Sequence, residues 1–154
     1  MIISVIGSGG KTTKIKQLKD RYLKEGKSVL MTTSTHMKIE EITFQETFSV
    51  RHPVLRAGKP IESCHFDGDD LASTKHFGIF IDNTLVGITS LFMQHHSFFN
   101  HEIQMQMRGM AVLNSHQKQG FGEKLLAACE NYLRNEKISL LWFNARAKAV
   151  PFYE

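Results

Sequence analysis

The chain has 154 residues, of which 42% are hydrophobic and 22% charged, and a formal net charge of +4. That is a one-domain length able to bury a real core, and no apolar run approaches the roughly 20 residues of a membrane span. The charge is uneven: residues 1–36 carry seven Lys and Arg against two Asp and Glu, whereas the remainder carries 12 against 13.

Nucleic-acid binding would want aromatics interleaved with the basic residues. Residues 1–36 hold Tyr22 as their one aromatic, so no nucleic-acid partner is expected. The opening MIISVIGSGGKTT lacks the basic start and long apolar core of a signal peptide. Two cysteines, Cys64 and Cys129, suit reduced thiols, and a cytoplasmic location is expected with no membrane partner.

Residues 2–6 are a β-branched apolar run that reads as a buried parallel strand. The loop Gly7 to Thr13 follows, then a helix from about Lys11 to Glu25 stopped by Gly26. Ser28 to Thr33 reads as a second strand, which completes a βαβ unit. A glycine turn with a lysine and a hydroxyl suits a triphosphate and Mg²⁺. The full P-loop pattern needs a glycine where Val5 stands, so the pattern is incomplete. Gly9, Gly10, Lys11 and Thr12 are the candidate phosphate contacts, and a loop that binds nothing remains the alternative.

Met37 to Ile42 reads as a strand, and Phe44 to Arg56 as a helical segment that Pro53 kinks or breaks. Phe66 to Asp70 is an acidic turn, able to attract a cationic amine or simply to be solvated. His76–Ile81 and Leu85–Phe92 are strands separated by Asp82, Asn83 and Thr84, a hairpin signal. The loop from Met93 to His101 contains His95, His96 and His101. No Cys, Asp or Glu joins them at a metal-ligand spacing, so no metal site is expected.

From Glu102 the pattern becomes informative. Ile103, Met105 and Met107 alternate with Gln104, Gln106 and Arg108, which is strand periodicity. Gly109 interrupts it, and a glycine inside a strand marks a bulge or a close backbone approach. Met110, Ala111, Val112 and Leu113 form a buried run, and Asn114-Ser115 turns the chain. Gln117-Lys118-Gln119-Gly120-Phe121-Gly122 then opens a helix whose Leu125, Leu126, Cys129 and Leu133 share one face. A glycine-rich helix start offers unpaired N–H groups and a partial positive charge to an anion; a glycine loop without ligand is the alternative. Ile138–Trp142 reads as a last strand.

The run Gln117-x-x-Gly120-x-Gly122 after a bulged strand resembles the acetyl-coenzyme-A-binding motif of the GNAT N-acetyltransferases. The block 138–154 agrees, with Asn144, Ala149 and Tyr153 matching N-x4-A-x3-Y. This resemblance covers residues 37–154. It implies an α/β fold with a mixed, mostly antiparallel sheet flanked by helices, carrying the βαβ unit as an N-terminal appendage. It implies acetyl transfer from acetyl-CoA to a primary amine, on a small molecule or a peptide, by direct attack in a ternary complex.

In that frame the pyrophosphate would sit on Gln117, Lys118, Gln119, Gly120, Phe121 and Gly122, with Lys118 either adding charge or solvated. Met110, Ala111 and Val112 would offer backbone groups to the pantetheine arm. A bulge near Gly109 would splay this strand from the one at Ile138–Trp142. Asn144 would bond the pantetheine or cap the next helix, and Tyr153 would protonate the leaving thiolate or pack on the core. Glu102 is a candidate general base through water. The resemblance places an acceptor-side helix and loop from Phe44 through Asp70.

The family continues with further strands past the position of Glu154. A domain 37–154 lacking its last strands would transfer acetyl groups poorly and present an edge for pairing, including a homodimer. Residues 1–37 resemble instead the start of the P-loop-like accessory proteins of selenium-dependent molybdenum hydroxylases, which implies ATP and Mg²⁺. Two unrelated pieces thus meet near residues 35–38. A nucleotide-binding accessory protein, or a chimera with no intact activity, is the alternative function.

Overall fold

A computed structural model describes residues 20–26 and 36–145. The predicted strands at 2–6 and 28–33, the loop bearing Gly9, Gly10, Lys11 and Thr12, and the block bearing Ala149 and Tyr153 lie outside the described residues. Residues 20–24 are helical and Gly26 turns left-handed after them, as a helix stop should.

The described chain forms a five-stranded sheet in sequential order β1-β2-β3-β4-β5. The strands are β1 (Met37–Glu41), β2 (Lys75–Ile81), β3 (Thr84–Met93), β4 (Gln104–Val112) and β5 (Leu140–Trp142). The first four pair antiparallel, and β5 lies parallel to β4. Helix α1 (Phe44–Leu55) covers one face and helix α2 (Phe121–Asn135) the other. This is the mixed, mostly antiparallel sheet flanked by helices that the sequence implied.

Local chemistry explains the element ends. Thr43 and Glu46 form a reciprocal capping box at the start of α1, which satisfies two orphan N–H groups. Pro53 neither breaks the helix nor ends it, since α1 runs two residues further to Leu55. One turn from the terminus, a proline removes few intrahelical bonds, and the Arg56 N–H closes the end on the Arg51 and His52 carbonyls. The β2–β3 turn is tighter than expected. Thr84 already pairs with Ile81, and Asp82 and Asn83 alone make the loop, both at positive φ (47° and 65°). That is the backbone of a two-residue type I′ hairpin, and Asp and Asn tolerate it.

Two apolar layers enclose the sheet. Met105, Met107 and Leu91 pack with Cys129 and Leu133 of α2, while Ile88 and Ala111 pack with Val50 of α1. The predicted α2 face is correct: Leu125, Cys129 and Leu133 are buried and Leu126 joins their core. The last strand is shorter than the predicted 138–142. Lys137 turns left-handed, and the Ile138 N–H goes back to the Leu133 carbonyl, so pairing starts at Leu140.

Candidate functional site

The site is built around β4. Ile88 pairs with Ala111 and Ser90 with Arg108, so Gly109 and Met110 together stand opposite Thr89. This is the predicted bulge. Gly109 takes φ +64°, and a β-carbon there would lie 2.8 Å from Cε2 of Phe66. Conformation and space therefore both require glycine. The register between β4 and β5 runs from Gln104–Leu140 to Gln106–Trp142 and ends there, three residues before Gly109. The two strands thus part on the approach to the bulge, as expected.

After Val112 the chain closes on itself. The Leu113 N–H donates to Val86, and Asn114–His116 form a single 3-10 turn. The Gln117 side-chain amide donates to the Val112 carbonyl and to Asn114 Oδ1, both at 3.0 Å. Lys118 and Gly120 are both left-handed, at φ 59° and 77°. Alternating handedness of this kind turns successive N–H groups into a concave cradle. Gly120 occupies the cap position of α2, and no side chain caps the helix start. The first α2 bond runs from the Lys124 N–H to the Gly120 carbonyl, leaving the preceding N–H groups at the mouth of the turn. Glu123, the acidic residue of this first turn, is exposed.

The predicted contacts divide clearly. Met110, Ala111 and Val112 run straight into the turn that holds Gln117, Lys118, Gln119, Gly120, Phe121 and Gly122, so these residues are brought together. Gln117 differs from expectation in using its side chain to tie the turn to the strand end. Asn144 is exposed, two residues past the Gln106–Trp142 pair, on the side of β5 leading toward the bulge. Glu102 does not open the strand. It lies in a bend two residues earlier, at the far end of β4 from the turn. The strand rise of about 3.4 Å per residue puts it roughly 30 Å from Val112. Ile103 is likewise outside the strand and 51% exposed. The ladder begins only at Gln104, whose buried amide bonds His96, Phe99 and His101 of the preceding loop.

The acidic turn is also corrected. Asp69 is buried and ion-paired to Arg51, with both side chains fully inaccessible, while Asp67 and Asp70 remain exposed. Arg51 Nη2 donates to Asp69 Oδ1 at 3.0 Å and to Ser90 Oγ at 2.8 Å, and Nη1 donates to the Cys64 carbonyl at 2.9 Å. His76 closes the ring, with Nδ1 2.7 Å from Ser90 Oγ and Nε2 2.9 Å from the Asp69 carbonyl. A carbonyl only accepts, so Nε2 carries the proton and Nδ1 accepts from Ser90. Burial holds the His76 pKa below its usual value, against the bond to Asp69. No spacing rule could find this ring, because its members come from α1, a loop, β2 and β3. The one available signal was an arginine inside the apolar side of a short helix.

The remaining reactive groups are quiet. Burial raises the Cys64 thiol and pushes Cys129 up to about 12, so neither offers a thiolate near neutral pH. His96 meets Trp142 edge-to-face and Phe99 at a tilt, and the His101 ring bonds Ser139. Among the described residues no group of three or more His, Cys, Asp or Glu is placed to hold a metal, and no helix is long and apolar enough to cross a membrane.

Comparison with known proteins agrees with the geometry. In sequence, the uncharacterized N-acetyltransferase YitI of Bacillus subtilis is 29% identical over 117 residues, spanning 76% of this chain and 78% of that protein. In structure, the aminoglycoside N-acetyltransferase AAC(6')-Iy, solved in complex with CoA, superposes with a TM-score of 0.66 at 16% identity, covering 80% of this chain and 86% of the other. Glucosamine-6-phosphate N-acetyltransferase from Arabidopsis thaliana gives a TM-score of 0.60 at 9% identity, covering 77% and 88%. The profile of the acetyltransferase (GNAT) family matches residues 37–154, which is most of the chain. The chain therefore belongs to the acetyltransferase (GNAT) family.

Proposed function

We propose that residues 37–154 transfer an acetyl group from acetyl-CoA to a primary amine, on a small molecule or a peptide, by direct attack within a ternary complex. The observation that carries this is the turn after β4, where left-handed Lys118 and Gly120 present an α2 start that no side chain caps. The N–H groups of Gln119 to Gly122 receive the pyrophosphate there, and the helix dipole favours its charge. Lys118 adds a flexible positive charge. The edge of β4 from Met110 to Val112 then runs beside the pantetheine arm, and Asn144 faces it from beyond β5.

The amine nitrogen attacks the thioester carbonyl, the C–N bond forms and the C–S bond breaks. The thiolate takes a proton from Tyr153 in this scheme, the amine nitrogen releases one to solvent, and solvent reprotonates the phenolate; a phenol of pKa near 10 matches a thiolate of similar basicity. Glu102, in the bend before β4 and seven residues from Gly109, is too far from the bulge to take the amine proton. Direct attack is favoured over an acyl-enzyme because both cysteines are buried and protonated. The family match starts at residue 37, where the charge balance changes sign, which supports treating residues 1–36 as a separate segment.

Thermal unfolding with and without ligand tests this. Acetyl-CoA should raise the midpoint, and the rise should grow with the logarithm of its concentration above its dissociation constant. A rise with ATP and Mg²⁺ alone would move the function to Gly9, Gly10, Lys11 and Thr12 and overturn the proposal.

A further inference from the structure

We infer that Phe66, packed with the buried Arg51 against the β4 bulge, is a positioning residue for acetyl transfer, fixing the backbone against which the thioester lies. The inference rests on the proposed function of the same site. Arg51 Cζ lies 4.0 Å from the centroid of the Phe66 ring. Both side chains border Gly109, where a β-carbon would lie 2.8 Å from Phe66 Cε2 and 3.4 Å from Arg51 Nε. The ring therefore fills the space that a side chain at Gly109 would otherwise occupy, and the bulge backbone rests on it.

Phe66 is itself held at both ends of the same network. Its N–H donates to Asp69 Oδ2 at 2.7 Å, and that carboxylate is bound by Arg51. Ser90, which links Arg51 to His76, pairs across the sheet with Arg108, the residue just before the bulge. The ring thus ties α1, the 66–74 loop, β2 and β3 to one place in β4. The Arg108 and Arg56 guanidinium groups flank the same aromatic ring at 5.3 Å each, closing its rim with charge. Several elements thus converge on one aromatic side chain beneath a bulge. Displacement of a reacting centre by about 1 Å can cost on the order of 100-fold in rate. The bulge is where such a displacement would originate if the Phe66 packing were soft.

The test uses the full chain with Phe66→Leu, and Phe66→Met as a second, more flexible replacement. Both keep the site apolar. Coenzyme A affinity is measured by calorimetry, and transfer from saturating acetyl-CoA to hydroxylamine, a small surrogate acceptor, gives kcat. Positioning predicts a loss of about tenfold or more in kcat with coenzyme A affinity within about twofold of wild type. An unchanged kcat, or a kcat loss matched by an equal loss of coenzyme A affinity, overturns the inference while leaving the proposed function standing. A wild-type chain that binds no coenzyme A overturns both.

Discussion

The two faces of β4 are stabilised by different physics. Toward α2, Met105 and Met107 pack on Cys129 and Leu133 through dispersion and burial alone. Toward α1, beside the apolar contact of Val50 with Ile88 and Ala111, stands a ring in which Arg51, Asp69, His76 and Ser90 bond one another, with Arg51 Nε buried and unpartnered. The apolar face degrades gradually as volume is removed. The polar face depends on every member, because one missing partner leaves a charge or donor buried. The bulge at Gly109 sits on the second kind of support, and the glycine turn follows within a few residues.

The sharpest way to break this contrast is Arg51→Met, which keeps most of the volume and removes the charge with its hydrogen bonds to Asp69, Ser90 and Cys64. Asp69 is left buried and unpaired, and the loss should be about 3–5 kcal/mol, read from denaturant unfolding. Met107→Ala opens a cavity on the other face, for which about 2–4 kcal/mol is expected. If Met107→Ala proved the costlier of the two, the ring would not be what holds the α1 side.

A smaller effect comes from protons. The folded pKa of His76 lies below its ordinary value because burial disfavours the imidazolium. The unfolded chain therefore binds more protons between that folded pKa and about 6.5. The contribution is fully present above about pH 6.5 and is lost as pH falls through the folded pKa. Unfolding free energy measured between pH 8 and pH 5 should decline on the acid side, and His76→Gln should flatten that decline. An equal decline in the variant would assign it to other groups.

What could be read from the chain itself follows the same division. Period-two alternation at Met105 and Met107 and the spacing of Leu125, Cys129 and Leu133 are local signals, so the sheet and α2 were legible, as was the bulge at Gly109. The turn from Gln117 to Gly122 was legible because its glycines are adjacent to the helix they start. The ring was not, since Arg51 reaches partners 18 and 39 residues away and each member alone looks like an ordinary polar residue. Asp69 was read as part of an acidic surface turn for the same reason. Alternation also assigned Ile103 and Glu102 to β4. It could not show that Gln104 turns inward to bond the preceding loop and so ends the strand there.

The central claim is that the turn after β4 receives the pyrophosphate of the acyl donor. Backbone amide resonances of the labelled chain, followed while coenzyme A is titrated in, test it most directly. Binding with the largest shifts at Gln119, Gly120, Phe121 and Gly122, and with pantetheine alone failing to reproduce them, is the predicted result. Saturable binding whose shifts spare that turn, or no binding at all, would contradict it.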